Sequence, residues 1–370
     1  MQAKHVDGIP SVRIGVGLVT AELPPESGRR FATEYADTLR IAEHAEQLGF
    51  DSIWTSEHHG VSDGYLPSQL VLLSAIAAVT ERIRLGTAVV VAPVHDPLRL
   101  AEDAAVLDHI SNGRLSLGVG LGWRPEEYRM FGGGTGNRVS RLVDTVDVLR
   151  KAFTGERFSH KGRAYSCDAV QVTPRPLQPG GPPILVGGFV PEAVRRAGRL
   201  GDGFIRSRRN DPEALSQDIH LALEGVRESQ RNPDEFEFVL LTNVGLDDAG
   251  SSALTSRIRA GLAYQLGVYA ALHDDDDTPG HGFRPRPIEP ETVDAAALWG
   301  TPQEVSARLT EQVLSARPGR RCELVPRLSY PGMELSDSMR LLSTFAREVV
   351  PRVHEALAEI AEHADPREYQ

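Results

Sequence analysis

The stretch that decides the fold runs from Phe50 to Phe131 and reads FDSIWTSEHHGVSDGYLPSQLVLLSAIAAVTERIRLGTAVVVAPVHDPLRLAEDAAVLDHISNGRLSLGVGLGWRPEEYRMF. It holds three short apolar runs, Asp51–Trp54, Ile83–Val91 and Arg114–Gly120, separated by two segments with helical periodicity. The runs are rich in Val, Ile, Leu and Gly and are too short for ordinary helices. The alternation therefore predicts a β-α-β-α-β unit with buried parallel strands.

The same alternation continues on both sides of this stretch. No Walker motif and no GxGxxG fingerprint follows any of the apolar runs, so a closed (β/α)8 TIM-like barrel fits better than an open doubly wound sheet. We expect one α/β barrel domain over residues 1–370. The eight predicted strands are Val12–Leu18, Asp51–Thr55, Ile83–Val91, Leu115–Val119, Pro183–Val186, Asp202–Ile205, Glu237–Val244 and Arg321–Leu328.

Two segments interrupt the barrel pattern. Residues 154–183, after the fourth predicted helix, are rich in Gly, Pro and Arg and contain only short β-like pieces, which indicates an excursion from the barrel. Residues 273–290, before the last strand, combine the run DDDD with several prolines and almost no apolar side chains. This composition is typical of a mobile segment. Such a segment is either a solvated linker or a flexible lid over the barrel mouth.

Composition narrows the functional class. The formal charge of −11 argues against nucleic-acid and anionic-membrane surfaces. The two cysteines, Cys167 and Cys322, lie far apart without metal-ligand spacing, and the chain has no long apolar stretch. We therefore expect a cytoplasmic, acidic enzyme that acts on a small molecule.

The triplet Glu57-His58-His59 directly follows a buried strand, at the rim where α/β barrels build their active sites. A carboxylate beside histidines can tune a proton acceptor near neutral pH. The alternative is structural, with the histidines in solvent or packed against Trp54 or Tyr65. A metal site at the triplet lacks a further histidine or carboxylate at ligand spacing nearby, so no metal is expected.

Five motifs together resemble the bacterial luciferase-like, flavin-dependent monooxygenase family. They occur in the family's order, from the first strand to the last helix, and are GFDSIWTSEHH, LGTAVVVAPVHDPLRLAED, LDHISNGRLSLGVGLGW with EEYRMFG, PPILVGG and GTPQEV. The resemblance implies a flavin at the carboxyl-terminal rim of the barrel. It also implies that His58 or His59 is the catalytic base, and we favour His58.

The resemblance also implies which residues support the isoalloxazine ring. The family places a bulge, sometimes with a non-proline cis peptide, at the position of Ala88 and Val89. Gly120 and Gly122 would let a planar ring approach the backbone, although glycines needed for tight barrel packing explain them equally well. Luciferases carry a phosphate-binding arginine where this chain has Leu121, so Arg124, one turn away, is a candidate substitute.

The turn after the fifth strand is the best candidate for a phosphate cradle. Gly187 and Gly188 lead into a predicted helix, and free N–H groups from Val190 to Ala193 would suit an anion. Luciferase offers hydroxyl side chains here, whereas Phe189 and Val190 offer none. Arg206 or Arg208, after the sixth strand, would then assist the amides.

The resemblance leaves three functions open. The first is a monooxygenase that takes reduced FMN (FMNH2) from a separate reductase and oxygenates a small organic substrate with O2 through a flavin C4a-(hydro)peroxide. The second is a deazaflavin (F420)-dependent oxidoreductase that transfers hydride on the same fold. The third is a non-catalytic flavin-binding partner subunit. A homodimer is expected from the resemblance, through the second and third helices.

Overall fold

The backbone of the barrel is a series of short strands. The computed structural model describes residues 11–207, 211–247, 252–273, 284–316 and 321–363. The strands are β1 (Ser11–Ile14), β2 (Val16–Val19), β3 (Ser52–Thr55), β4 (Arg84–Thr87), β5 (Val90–Val91), β6 (Leu115–Gly120), β7 (Phe158–Lys161), β8 (Ser166–Val170), β9 (Ile184–Gly187), β10 (Gly203–Arg206), β11 (Glu237–Leu246), β12 (Leu298–Gly300) and β13 (Arg321–Arg327).

Parallel pairing closes these strands into a ring of eight positions. The order is β1/β2, β3, β4/β5, β6, β9, β10, β11 and β13, and β13 pairs with both β11 and the first position. The predicted eight-stranded TIM-like barrel is therefore confirmed. Two predicted strands are interrupted, since the first breaks between Ile14 and Val16 and the third between Thr87 and Val90.

Helices surround the ring, and some of them begin at a residue whose side chain caps the first turn. Asp96 accepts hydrogen bonds from the N–H groups of Leu98 and Arg99, and Thr301 with Glu304 forms a capping box. The helices are α1 (Phe31–Leu48), α2 (Gln69–Val79), α3 (Pro97–Ile110), α4 (Pro125–Met130), α5 (Arg138–Phe153), α6 (Pro191–Leu200), α7 (Pro212–Glu228), α8 (Ser252–His273), α9 (Pro290–Ala295), α10 (Pro302–Ser315), α11 (Leu335–Thr344) and α12 (Val350–His363).

The interruptions of the barrel pattern carry structure of their own. The excursion at 154–183 contains the antiparallel hairpin of β7 and β8. Within the second interruption, residues 274–283 lie outside the described residues, and α9 begins at Pro290. No helix in the described ranges has the length and apolarity needed to cross a membrane.

Buried charges close the amino-terminal end of the barrel. Arg13 forms ion pairs with Glu237 and with Glu323, the latter at 2.8 Å between Nε and Oε2. The indole N–H of Trp54 donates to Oε1 of Glu323 at 2.7 Å. Above this floor the interior is filled by apolar side chains such as Leu185 and Val239. The free space of the barrel therefore lies at its carboxyl-terminal end.

One glycine shows how tightly the strands approach each other. A Cβ atom on Gly118 of β6 would lie 1.9 Å from the carbonyl oxygen of Thr87 on the neighbouring strand. That oxygen belongs to the backbone, and the Thr87 side chain also bonds to the Gly118 N–H and carbonyl at 2.8 Å each. The contact leaves no room for a side chain.

Replacing Gly118 by alanine should therefore destabilise the barrel. We expect the Gly118→Ala substitution to lower the free energy of unfolding by about 1–3 kcal/mol, the usual effect of overpacking a core. Denaturant titration followed by circular dichroism measures this change. Gly136→Ala is the matched control, because a Cβ atom there meets nothing within 4 Å. Equal stability of the two variants would contradict the proposed close approach.

Candidate active site

One cavity at the carboxyl-terminal mouth of the barrel collects most of the predicted site residues. Its volume is about 350 Å³, within the range of small-molecule and cofactor sites. Segments 57–58, 120–123 and 187–190 all contribute to its wall, so the three parts of the sequence singled out above share one mouth. The predicted residues that line it are Glu57, His58, Ala88, Val89, Gly120, Gly122, Gly187, Gly188, Phe189 and Val190.

His58 is the histidine of the triplet that faces the cavity. Its Nδ1 lies 2.8 Å from Oε1 of Glu127, a fully buried carboxylate on α4. Burial raises the pKa of Glu127, but the hydrogen bonds from His58 and from the His59 N–H outweigh it, and the pKa lies below its ordinary value. The ionised carboxylate accepts, so Nδ1 carries the proton of neutral His58. The other ring nitrogen, Nε2, remains a proton acceptor.

Aromatic rings enclose His58 on three sides. The ring centroids of Tyr65, Tyr269 and Trp123 lie 4.7, 5.4 and 5.9 Å from that of His58, all in edge-to-face geometry. Tyr269 comes from α8, and its hydroxyl lies 3.0 Å from that of Tyr65. The hydroxyl of Tyr264, also on α8, donates to Oδ2 of Asp63 at 3.1 Å. These bonds hold α8 at the mouth, beside His58.

His59 points into the wall of the cavity instead of its interior. Its Nε2 lies 3.0 Å from Oε1 of Glu57, and Nε2 of His95 lies at the same distance from the same oxygen. The Val91 N–H also donates to this oxygen at 3.1 Å, and the Gln69 amide donates to the other carboxylate oxygen at 3.3 Å. Glu57 is thus a fixed acceptor that positions its neighbours.

Glu57 keeps its negative charge in this buried place. Burial raises the pKa of the carboxyl group, but the hydrogen bonds from His59 and His95 outweigh it and lower the pKa to about 2. Burial lowers the pKa of His95, while the hydrogen bond and charge of Glu57 raise it above its ordinary value. The sequence did not assign a role to His95, because it lies 36 residues after His59.

The side chain of Val89 packs on two glycines in the wall of the cavity. A Cβ atom on Gly120 would lie 2.5 Å from Cγ2 of Val89, and one on Gly187 would lie 3.1 Å from Cγ1 of the same residue. The Ala88–Val89 peptide bond is cis, the feature that the family resemblance implies at this position. Both glycines therefore make room for the Val89 side chain, which lines the cavity with them.

Two predicted arginines do not line the cavity. Arg124 donates to the His59 carbonyl oxygen at 2.7 Å and pairs with Glu126 at 2.8 Å, so it stabilises the loop that carries the histidines. Arg206 points outward and pairs with Asp218 of α7 at 2.9 Å. The residues before and after it in the chain, Ile205 and Ser207, line the cavity instead. The reason is strand alternation, which sends successive side chains to opposite faces.

The turn predicted to hold a phosphate offers fewer free N–H groups than expected. Of the N–H groups expected from Val190 to Ala193, Pro191 has none and that of Ala193 donates to the Val190 carbonyl at 2.8 Å. Arg138 and Ser207 line this part of the cavity and were missed by the sequence analysis. Arg138 begins α5, and the amino end of a barrel helix follows the strand rim, which is the signal that could have found it. Arg208 lies outside the described residues.

The chain matches a family model over most of its length. The model is described as luciferase-like monooxygenase, and it matches residues 12–316. This span contains the eight-position ring except for its last strand, β13, together with every residue that lines the cavity.

Named relatives divide between two cofactor classes. The oxygenase component of a flavin-dependent trigonelline monooxygenase from Acinetobacter baylyi is 33% identical over 74% of this chain and 79% of its own. An F420-dependent glucose-6-phosphate dehydrogenase from Nakamurella multipartita is 31% identical over 72% of this chain and 77% of its own. Some curated relatives match over only about half of their own length.

Solved structures share the fold. The monooxygenase RslO1 from Streptomyces bottropensis superposes with a TM-score of 0.76 at 26% identity, covering 92% of this chain and 99% of its own.

The contact between Glu127 and His58 predicts which tautomer the neutral histidine adopts. In the Glu127→Gln variant the acceptor is neutral and its amide also offers N–H groups, so His58 should no longer be fixed with its proton on Nδ1. Long-range ¹H–¹⁵N spectra of protein labelled in histidine nitrogens report this tautomer directly. We expect a single Nδ1–H form in the wild type and a mixture in Glu127→Gln.

Glu126→Gln is the matched control for this experiment. Glu126 is adjacent in sequence and pairs with Arg124 and Arg129, without contact to His58. Its substitution should leave the His58 signals unchanged. Identical His58 spectra in the wild type and in Glu127→Gln would show that Glu127 does not position the ring.

Proposed function

The chain belongs to the luciferase-like monooxygenase family, and we propose that it is the oxygenase component of a two-component monooxygenase that uses reduced FMN and O2 on a small organic substrate. A separate flavin reductase would supply the reduced flavin. The proposal rests on one observation above the others. His58 lies in the cavity among three aromatic rings, is fixed by a buried carboxylate, and its Nε2 has no hydrogen-bond partner among the described residues.

The cavity residues fit a flavin. The Val89 side chain, packed on Gly120 and Gly187, lines the cavity and would support one face of an isoalloxazine ring. Arg138 and the hydroxyl of Ser207 line the same cavity and would hold the phosphate. Reduced FMN, when bound, supplies the two electrons that activate O2 for transfer of one oxygen atom to the substrate.

The protein residues would control protons and water in this reaction. His58 would accept or return a proton through Nε2, while Glu127 keeps Nδ1 protonated and stabilises the imidazolium form when it occurs. Tyr65, Tyr269 and Trp123 would keep bulk water away from the reacting groups, which limits the unproductive release of peroxide. Glu57 would act indirectly, by holding His59 in the wall.

The second candidate is an F420-dependent oxidoreductase that transfers hydride without O2. It is supported by the F420-dependent relatives, one of which is 31% identical over most of this chain. The same histidine could handle the proton of a substrate hydroxyl group in that reaction. A non-catalytic subunit is less well supported, because the fixed His58–Glu127 pair has no role in simple binding.

Cofactor binding separates the candidates. Titration of the anaerobic protein with photoreduced FMN and, separately, with reduced F420 should give saturable binding of FMN only, measured by absorbance and fluorescence. O2 consumption with NADH and a flavin reductase, over a panel of small apolar substrates, then tests turnover. Tight F420 binding with hydride transfer, and no effect of FMN, would favour the second candidate. Failure of both cofactors to bind would favour the non-catalytic subunit.

Substitution of His58 tests its assigned role within that assay. We expect His58→Gln to bind reduced FMN as the wild type does, because Val89, Arg138 and Ser207 would hold the cofactor. Turnover should fall by about 100-fold, the usual contribution of a general base. His109→Gln is the control, since His109 is a surface residue whose Nε2 lies 2.9 Å from the Arg175 carbonyl oxygen. An unchanged kcat in His58→Gln would remove His58 from this role.

We also propose that two copies of the chain associate through α2 and α3. These adjacent helices expose apolar side chains, with Val71 71%, Val106 47% and Ile110 49% accessible. Water contact with such residues is unfavourable, and burial against a second copy removes it.

Light scattering after size exclusion tests the association. The wild type should elute at the mass of two chains, and Val71→Asp should elute at the mass of one, because a charge would be buried in the interface. Val139→Asp, an exposed valine of α5, should leave the dimer intact. A monomeric wild type, or a dimeric Val71→Asp, would place the interface elsewhere or exclude it.

A further inference from the structure

Three side chains from distant parts of the sequence meet behind the wall of the cavity. Glu57, His59 and His95 each place one potential ligand atom within 4.8 Å of the others. Glu57 and His59 are buried, while the side chain of His95 is 32% accessible. His95 lies in the turn before α3, whereas the other two follow β3. His95 lies 36 residues after His59, so the spacing of residues near the triplet gives no sign of this third potential ligand.

We propose that Glu57, His59 and His95 form a binding site for a divalent transition-metal ion of the Zn²⁺ class. Two imidazole nitrogens and one carboxylate oxygen are the donor set that such ions prefer, while Ca²⁺ and Mg²⁺ prefer oxygen alone. The ion would replace the two hydrogen bonds between the imidazole groups and the carboxylate.

The spacing of the donors suits direct coordination. Both Nε2 atoms lie 3.0 Å from Oε1 of Glu57. At the tetrahedral angle of zinc sites, two metal–ligand bonds of about 2.1 Å separate their ligand atoms by about 3.4 Å, only about 0.4 Å more than here. Little movement is therefore needed to exchange the shared protons for a metal ion. The accessible edge of His95 gives the ion a path from solvent.

Other groups already orient the carboxylate as metal sites require. The Val91 N–H donates to Oε1 of Glu57 and the Gln69 amide donates to Oε2. Ligating carboxylates and histidines in metal sites are commonly held by such outer hydrogen bonds. Oε1 can keep its bond from Val91 through one lone pair and bind the ion through the other.

The charge of the cluster also favours a cation. Glu57 is a buried anion, and in the described part of the chain its ion pairs are those with His59 and His95. A buried carboxylate is stabilised by a compensating positive charge. A divalent ion supplies that charge and leaves both imidazole groups neutral.

The ion would have a structural role. His59 and His95 do not line the cavity, so the ion would lie behind the wall, one residue away from His58. It would tie the loop after β3 to the turn before α3 and limit the motion of the segment that carries His58. This role is independent of which cofactor occupies the cavity.

Zinc titration of the untagged, EDTA-dialysed full chain tests the proposal. Isothermal titration calorimetry with Zn²⁺ should show one ion per chain, and thermal unfolding should move to higher temperature when Zn²⁺ is present. In His95→Gln the amide keeps an N–H donor for Glu57 but is a poor metal ligand. We expect its Zn²⁺ affinity to fall by more than about 100-fold, because losing a direct ligand costs more than losing a residue that only orients one.

Two further variants complete the design. His59→Gln should lose Zn²⁺ affinity as His95→Gln does, and substitution of Co²⁺ for Zn²⁺ should give visible absorption bands in the wild type that both variants lack. His109→Gln, far from the cluster, should bind Zn²⁺ as the wild type does. The proposal is overturned if the wild type takes up no stoichiometric Zn²⁺. Equal binding by His95→Gln and the wild type would overturn it as well.

Discussion

The structure depends on the closure of eight parallel strands into a barrel. Side chains fill its amino-terminal end and its middle, and the cavity lies at its carboxyl-terminal end. The ion pairs of Arg13 with Glu237 and Glu323 close the amino-terminal end, and apolar side chains fill the middle of the barrel. At the other end lies the cavity of about 350 Å³, whose wall includes Gly120, Gly187 and the Val89 side chain that packs on both glycines. Close packing at Gly118 brings the strands near enough for this ring to form. Residues separated by more than a hundred positions consequently meet at one mouth.

Two buried carboxylates give two adjacent histidines different roles. Glu127 accepts from His58 and leaves its other nitrogen available in the cavity, whereas Glu57 accepts from His59 and holds it in the wall. Each acceptor is ionised because several donors converge on it, which outweighs the effect of burial on its pKa. The role of each histidine is therefore determined by the acceptor that its ring meets, Glu127 for His58 and Glu57 of the triplet itself for His59. Glu57 also bonds to His95, which brings His95 close to His59 and completes the donor set proposed to bind a metal ion.

At the end of β10, a difference of one position in the strand decides which side chain faces the cavity. Arg206 and Ser207 are neighbours at the end of β10, yet only the serine faces the cavity, and the arginine pairs with Asp218 outside the ring. Arg124 is likewise used to fix the loop that carries His59. The positive charge at the cavity comes from Arg138, on the first turn of α5, so the cationic part of the site is built by a helix instead of a strand.

The sequence alone determined the order and number of the barrel strands, because each buried parallel strand is a short apolar run that can be recognised without its partners. It also determined which segments reach the mouth, since the ends of parallel strands share one rim. Only the tertiary structure decided which side chain of each segment faces the cavity. The orientation of His58 depends on Glu127, and the cluster at Glu57 depends on His95, 38 residues away. Such contacts arise from the closing of the ring, and no local pattern of residues encodes them.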